Sequence, residues 1–287
     1  MKKKILVLGS EGQIGGHLVE YIEKKTNFKA IRFDILLSKN NDLRIHNNKN
    51  LEIKIKSCDF VFFLAFDVGG SKYLKKYQNS YNFLNNNILI MSNTFNLLKK
   101  YNKKFIFASS QMSNMDFSSY GVLKKIGEDI TKSLNCLYVK FWNVYGVEKN
   151  IEKAHVITDF VLMALKNKKI KMLTSGRESR EFLYADDCSD ALLHIMKNFK
   201  YYLKKKEEIH LTTGKKTKVI EIAKKIKNIL KKRNFNINIY PSKKNDELQK
   251  NTLNKSNGYF LKNWKPKYTV AEGINEIINY YLSSSNK

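Results

Sequence analysis

The chain has 287 residues, 43% of them hydrophobic and 28% charged, with a formal net charge of +27 at neutral pH. That length buries the core of one large or two modest domains, and the hydrophobic share excludes a disordered chain. The positive excess is lysine spread along the chain rather than an arginine-rich stripe, which argues against nucleic acid as the main partner and suits an anionic small molecule.

Lys4–Leu8 reads as a first strand, running into Gly9-Ser10-Glu11-Gly12-Gln13-Ile14-Gly15 and a helix over Ile14–Lys25. Lys29–Phe33 is a second strand that closes on Asp34. Phe60–Ala65 is an unbroken apolar run, as a strand buried on both faces of a parallel sheet requires. A helix over Asn87–Tyr101, a strand over Lys104–Ala108, a helix over Ser119–Leu134 and a strand over Leu137–Phe141 continue a βαβ alternation. Beyond about Asn150 the order turns irregular, with helices expected at Val156–Asn167, Asp186–Asn198, Val219–Lys231 and Val270–Leu282. Cys58, Cys136 and Cys188 are isolated and lack C-x-x-C spacing, so neither a disulfide framework nor a metal site is expected, and a reducing cytosol fits. Ile5–Leu8 is too short for a signal-peptide core, and no apolar run approaches the ~20 residues that span a membrane. A soluble, cytoplasmic protein is expected.

The glycine spacing G-x-x-G-x-x-G leaves a strand and opens a helix. Such a turn lets backbone approach a pyrophosphate, and the helix N-terminus offers free N–H groups and a positive dipole end. Asp34 sits where a carboxylate accepts from both hydroxyls of an adenosine ribose, and its charge would meet a 2′-phosphate, so NAD is favoured over NADP. Arg32 shares that strand face without being aimed at the ribose. Asp42-Leu43 either places a carboxylate at the adenine amino group or is an exposed loop. Further on, Tyr120 and Lys124 are spaced i,i+4, which puts them on one helix face. A free phenol has a pKa of about 10, and an adjacent ammonium is expected to lower it until tyrosine serves as a base. Glycine turn, acidic residue and tyrosine–lysine pair together indicate hydride transfer between a nicotinamide cofactor and an alcohol or ketone.

Further motifs stand at Phe63-Leu64-Ala65, at Phe105-Ile106-Phe107-Ala108-Ser109-Ser110, and at Ser118-Ser119-Tyr120-Gly121-Val122-Leu123-Lys124 with Glu128. Others follow at Phe141-Trp142-Asn143-Val144-Tyr145-Gly146, Arg180-Glu181-Phe182-Leu183-Tyr184-Ala185-Asp186-Asp187, Leu211-Thr212-Thr213-Gly214 and Asn263-Trp264-Lys265-Pro266. In these residues the chain resembles, nearly end to end, the extended short-chain dehydrogenase/reductase family in its nucleotide-sugar epimerase/dehydratase branch. The resemblance implies an α/β fold, a Rossmann-type doubly wound parallel sheet with a smaller, mostly C-terminal substrate domain. Residues 1–147, with a return near 183–200, would bind NAD; 148–182 and 201–287 would bind the substrate. It also implies a cofactor site at Gly9, Gly12, Gln13, Ile14, Gly15, Asp34, Asp42, Leu43, Leu64 and Ala65. Ser110, with Ser109 as runner-up, would steer the reacting sugar hydroxyl, Tyr120 would act as acid/base, and Lys124 would hold the nicotinamide ribose. Asn143, His155 and Arg180 would bind the substrate, Arg180 by gripping its diphosphate from a loop.

The departures narrow the reaction. Family dehydratases carry an Asp-Glu pair after the active-site Ser or Thr, whereas this chain has Gln111-Met112. Enzymes resembling GDP-fucose synthase place a cysteine where Met112 stands, although Val68-Gly69-Gly70 and His155-Val156-Ile157 look like that subgroup. His155 is thus a phosphate or sugar ligand as readily as an acid/base, and Met112 favours the ligand role. The segment from Ser110 to Tyr120 is shorter than usual for extended members. The resemblance implies NAD-dependent oxidation or reduction at the C4 hydroxyl of a nucleotide sugar, a GDP-sugar among the candidates, by a 4-dehydrogenase or 4-epimerase in surface-polysaccharide synthesis, with a GDP-fucose-synthase-like 4-keto-sugar reductase/epimerase as alternative. A non-catalytic cofactor- or RNA-binding protein is the rival of another class, against which the intact Ser110, Tyr120 and Lys124 speak. A homodimer is expected through the helices Asn87–Tyr101 and Ser119–Leu134, whose Ile88, Phe95, Leu98, Val122, Ile126 and Ile130 cannot all face one sheet.

Overall fold

The computed structural model describes residues 2–246 and 261–284. In chain order its elements are β1 (Lys4–Leu8), α1 (Gln13–Lys25), β2 (Lys29–Phe33), α2 (Lys49–Ser57), β3 (Phe60–Phe63), α3 (Ser71–Tyr77), α4 (Tyr81–Lys100), β4 (Phe105–Ser110), α5 (Ser119–Ser133) and β5 (Leu137–Phe141). There follow β6 (Asn143–Tyr145), α6 (Val156–Asn167), β7 (Lys169–Lys171), β8 (Ser179–Tyr184), α7 (Ala185–Lys197), α8 (Phe199–Lys205), β9 (Ile209–Leu211), β10 (Lys216–Lys218), α9 (Val219–Lys231), β11 (Asn238–Tyr240) and α10 (Val270–Ser284).

Six parallel strands form the central sheet in the order β2-β1-β3-β4-β5-β9. Ile5 to Leu8 and Val61 to Phe63 are fully buried, because helices cover both faces of the sheet. The chain steps from β1 to β2 on one side and returns to β3 on the other, which opens a crevice above the carboxyl ends of these strands. This is the doubly wound architecture expected of the sequence. A smaller sheet, β10-β8-β6, and a two-stranded ribbon, β11-β7, lie outside it.

The buried apolar residues fall into two clusters. One fills both faces of the central sheet; the other joins β8, α6, α9 and α10 through Phe182, Phe160, Ile226 and Ile277. The return to the central sheet runs further than 183–200, since β9 pairs with β5 (Val139 opposite Ile209, Phe141 opposite Leu211). A three-residue strand is too short to show a period, so it was invisible in the sequence. Residues 247–260 and 285–287 of the expected substrate domain lie outside those described.

Helix α4 starts at Tyr81 rather than Asn87. Ser80 caps it by accepting the Phe83 N–H (3.3 Å), and the Asn87 amide donates to Phe83 O (2.9 Å) and to Asp67 O (3.1 Å), so a run of asparagines is carried inside a helix. Strand β3 stops at Phe63, and β4 runs on through both serines, opposite Lys140 and Phe141.

Candidate active site

A cavity of about 530 Å³ occupies the crevice and extends toward α6. Gly9, Gly12, Gln13, Ile14, Gly15, Asp34, Asp42, Leu43, Leu64, Ala65, Ser110, Tyr120, Lys124, Asn143 and His155 all line it; Arg180 does not.

At one end the glycine turn is tight for a steric reason. Gly9 has φ +83°, and a Cβ on Gly15 would lie 2.0 Å from Gly9 O. Gly12 is the N-cap of α1 and gives it no side-chain cap, which leaves the first backbone N–H groups to an anion in the cavity. Asp34 accepts the N–H groups of Glu11 (3.0 Å) and Leu36 (3.0 Å), tying the end of β2 to the glycine turn. Arg32 reaches instead to Glu11 (3.3 Å) and Glu23 (3.5 Å). Asp42 is no freely exposed loop carboxylate. The Arg44 guanidinium grips both its oxygens (2.9 and 2.8 Å), holds its pKa below the usual carboxylate range, and itself donates to Asn86 (3.0 Å).

At the catalytic end, successive residues of β4 point to opposite sides. The Ser110 hydroxyl bonds the Tyr120 oxygen and accepts the Met112 N–H (3.1 Å). Ser109 donates to the buried Glu128 (2.5 Å), a residue one turn beyond Lys124 on α5. Lys124 donates to Ala108 O (2.6 Å), and its ammonium lies 3.6 Å from the centre of the Phe66 ring. Burial lowers its pKa to about 7, against the opposing charge of Glu128. Tyr120 runs counter to the expected depression: burial pushes the phenol up to about 12, and the Ser110 hydrogen bond only moderates this. The reason is that Lys124 sits 5.7 Å from the Tyr120 ring centre and is itself short of full charge at neutral pH.

On the substrate side, Asn143 presents an amide nitrogen that is buried without a hydrogen-bond partner, a donor facing a cavity wall. His155 Nδ1 lies 2.7 Å from Glu148, whose second oxygen accepts the His155 backbone N–H (2.7 Å). Arg180, expected to project from a loop, lies within β8 opposite Thr217 of β10, is buried, and pairs with Asp246. Its turn-rich approach hid a strand that begins at Ser179. Phe66, Arg44, Glu148 and Lys153 also line the cavity and were not singled out from the sequence. Phe66 directly follows the Leu64-Ala65 motif and Glu148 closely follows Gly146, so proximity to the motifs was the available signal. Among the described residues no cluster of His, Cys, Asp and Glu is placed to hold a metal ion.

The model of the NAD dependent epimerase/dehydratase family matches residues 5–207, which contain the glycine turn and the Ser110, Tyr120 and Lys124 group. The chain belongs to that family. It is an enzyme, and NAD is its cofactor. A Methanocaldococcus jannaschii protein provisionally named a UDP-glucose 4-epimerase is 28% identical, covering 98% of this chain and 99% of the relative. Among solved structures, a GDP-6-OMe-4-keto-L-xylo-heptose reductase from Campylobacter jejuni superposes with a TM-score of 0.82 at 19% identity, covering 99% of both chains. A Thermotoga maritima UDP-glucose 4-epimerase superposes with a TM-score of 0.79 at 21% identity, covering 98% of this chain and 99% of that one. The open N-terminus of α1 and the Gly15 approach that no Cβ would allow fit the cofactor of the family. Gly9 to Gly15 would hold its pyrophosphate, Asp34 its adenosine ribose, and Lys124 its second ribose.

Proposed function

We propose that this enzyme oxidises or reduces the C4 position of a nucleotide-activated sugar, as a 4-dehydrogenase or 4-epimerase. The observation that carries the proposal is the convergence of Ser110, Tyr120 and Lys124 on one cavity, which Asn143 with its unpartnered amide nitrogen also lines. NAD, when bound, supplies the hydride acceptor. Ser110 orients the sugar hydroxyl and Tyr120 takes its proton. The phenol with its pKa near 12 keeps its proton at neutral pH, which is the form that protonates a ketone oxygen on the way back. A charged Lys124 favours the phenolate needed for oxidation. The first buried cluster serves as the NAD-binding unit, residues 1–147 with the return to β9, and the second as the substrate unit. The relatives named for UDP-glucose and for a GDP-linked heptose support a nucleotide sugar as substrate class, and synthesis of surface polysaccharide in the cytoplasm is the role that suits it. Gln111 and Met112 stand buried directly after β4 and neither is a carboxylate, which disfavours 4,6-dehydration.

A second reading, the 4-keto-sugar reductase/epimerase, is favoured by the His155–Glu148 contact in the same cavity. The test is a mass-spectrometric screen of UDP-, GDP- and dTDP-sugars with NAD. Loss of two hydrogens identifies a dehydrogenase; unchanged mass with altered chromatography identifies an epimerase. No conversion of any nucleotide sugar, with NAD demonstrably bound, would sink the proposal.

A further inference from the structure

Glu148 is the cavity carboxylate whose two oxygens are both spent on a histidine. One accepts the His155 backbone N–H and the other meets the ring Nδ1, each at 2.7 Å. The clamp is held from two sides. Tyr281 of α10 donates to Glu148 O (2.8 Å) and accepts the Glu148 N–H (3.3 Å). The Gly70 N–H donates to Lys153 O (3.0 Å), and a Cβ at Gly70 would lie 2.4 Å from Ala154 O, so only glycine lets the histidine loop close on α3. The Glu148 side chain is 6% exposed, whereas that of His155 is 40% exposed along the cavity.

We propose that Glu148 is a positioning residue: it fixes the imidazole of His155 with its proton on Nδ1 and presents Nε2 to the bound sugar as a group that exchanges protons. The inference rests on the nucleotide-sugar reading for the identity of the sugar, and on geometry alone for the pair. A charged imidazole against a buried carboxylate is a neutral unit, which is a weak clamp for a diphosphate but a poised proton donor and acceptor. Around the loop Lys153 pairs with Asp67 (2.9 Å), Lys149 with Glu11 (3.2 Å), and Asp159 of α6 with Lys72 of α3 (2.8 Å), while Glu152 is exposed. Desolvation opposes charge on the imidazole, and the charge and hydrogen bond of Glu148 outweigh it, so the His155 pKa stands above the ordinary histidine value. Next to a ketone, the step breaks a C–H bond, sends its electron pair into the enolate oxygen, and carries the proton to Nε2.

The test uses the full chain loaded with NAD and labelled with ¹⁵N in its histidine rings, with His155→Asn assigning the signal. In the wild type, Nδ1 should keep its proton when the ring is neutral, and the His155 titration should lie above the ordinary range. Glu148→Gln should lower that titration by about one pH unit or more and mix the two tautomers. Glu148→Asp, which keeps the charge, should restore part of the shift and serves if the glutamine variant unfolds. With the sugar that turns over in the screen, the limb of the pH–rate profile set by His155 should move to lower pH together with the titration. Solvent deuterium should enter beside the ketone in the wild type and not in His155→Asn. An identical His155 titration in the wild type and Glu148→Gln overturns the pair. A titration that moves while the pH–rate profile stays fixed overturns the proton-exchange role. The ring signals decide the pair whether or not any sugar turns over.

Discussion

Tyr120 and Lys124 are both buried, and burial acts on the two in opposite senses: it holds the proton on the phenol and draws it from the ammonium. Tyr120→Phe keeps the packing against Phe66 and removes the proton carrier, so turnover should fall ~10²–10⁴-fold while NAD affinity is retained. Comparable turnover in the variant would remove Tyr120 from the mechanism. Lys124 has a second, thermodynamic consequence. Its pKa falls from 10.5 to about 7 on folding, so the unfolded chain binds more protons between those values and stability rises with pH across that window. The burden is complete below pH 7 and fades as pH approaches 10.5. Lys124→Met should therefore raise the melting temperature at pH 6, with a gain that shrinks toward pH 10. A gain that grows with pH would show that the ammonium is not desolvated.

Among the elements, β5 carries a charge in the interior that no strand pattern announces. Lys140 is fully buried and donates to Glu208 (2.8 Å) and Asn114 (3.0 Å), with Glu128 3.7 Å away. Glu128 in turn accepts from Ser109, so the end of β4, the middle of α5 and the loop before β9 are joined by one polar network. Removing one partner of such a buried set leaves a carboxylate uncompensated, which costs about 3–5 kcal/mol. Lys140→Met should lower the unfolding free energy by that order in denaturant titration. A loss below about 1 kcal/mol would mean the network contributes little beyond packing. Arg180 illustrates the same dependence on context: within β8 it is a buried strand residue against Asp246, not a loop residue free to meet a diphosphate.

At the scale of the molecule, the apolar faces of α4 and α5 separate as a paired surface would need. Phe95 and Leu98 are buried in the first cluster, while Ile88, Val122 and Ile126 are 51%, 42% and 46% exposed. The two helices pack side by side, so these residues belong to one outer face. We expect a second copy related by a two-fold axis to cover this stripe, giving a homodimer at micromolar concentration. Light scattering that returns the 33.6 kDa of one chain would refute it. Among the described residues, no helix is long and apolar enough to cross a membrane.

What the amino-acid sequence determined by itself is what depends on neighbours in the chain. The βαβ alternation, the turn from Gly9 to Gly15, Asp34 at the end of β2 and the i,i+4 pair Tyr120–Lys124 all follow from local period and spacing, and fifteen of the expected site residues meet in one cavity. Tertiary structure alone decided what depends on burial and on partners far apart in sequence. It set the direction of the Tyr120 pKa, brought Arg44 to Asn86, closed Glu148 on His155 with Tyr281 behind it, and drew β9 into the central sheet. The physical reason is that a side chain's charge and orientation are set by desolvation and by groups the fold delivers, and neither leaves a period in the sequence.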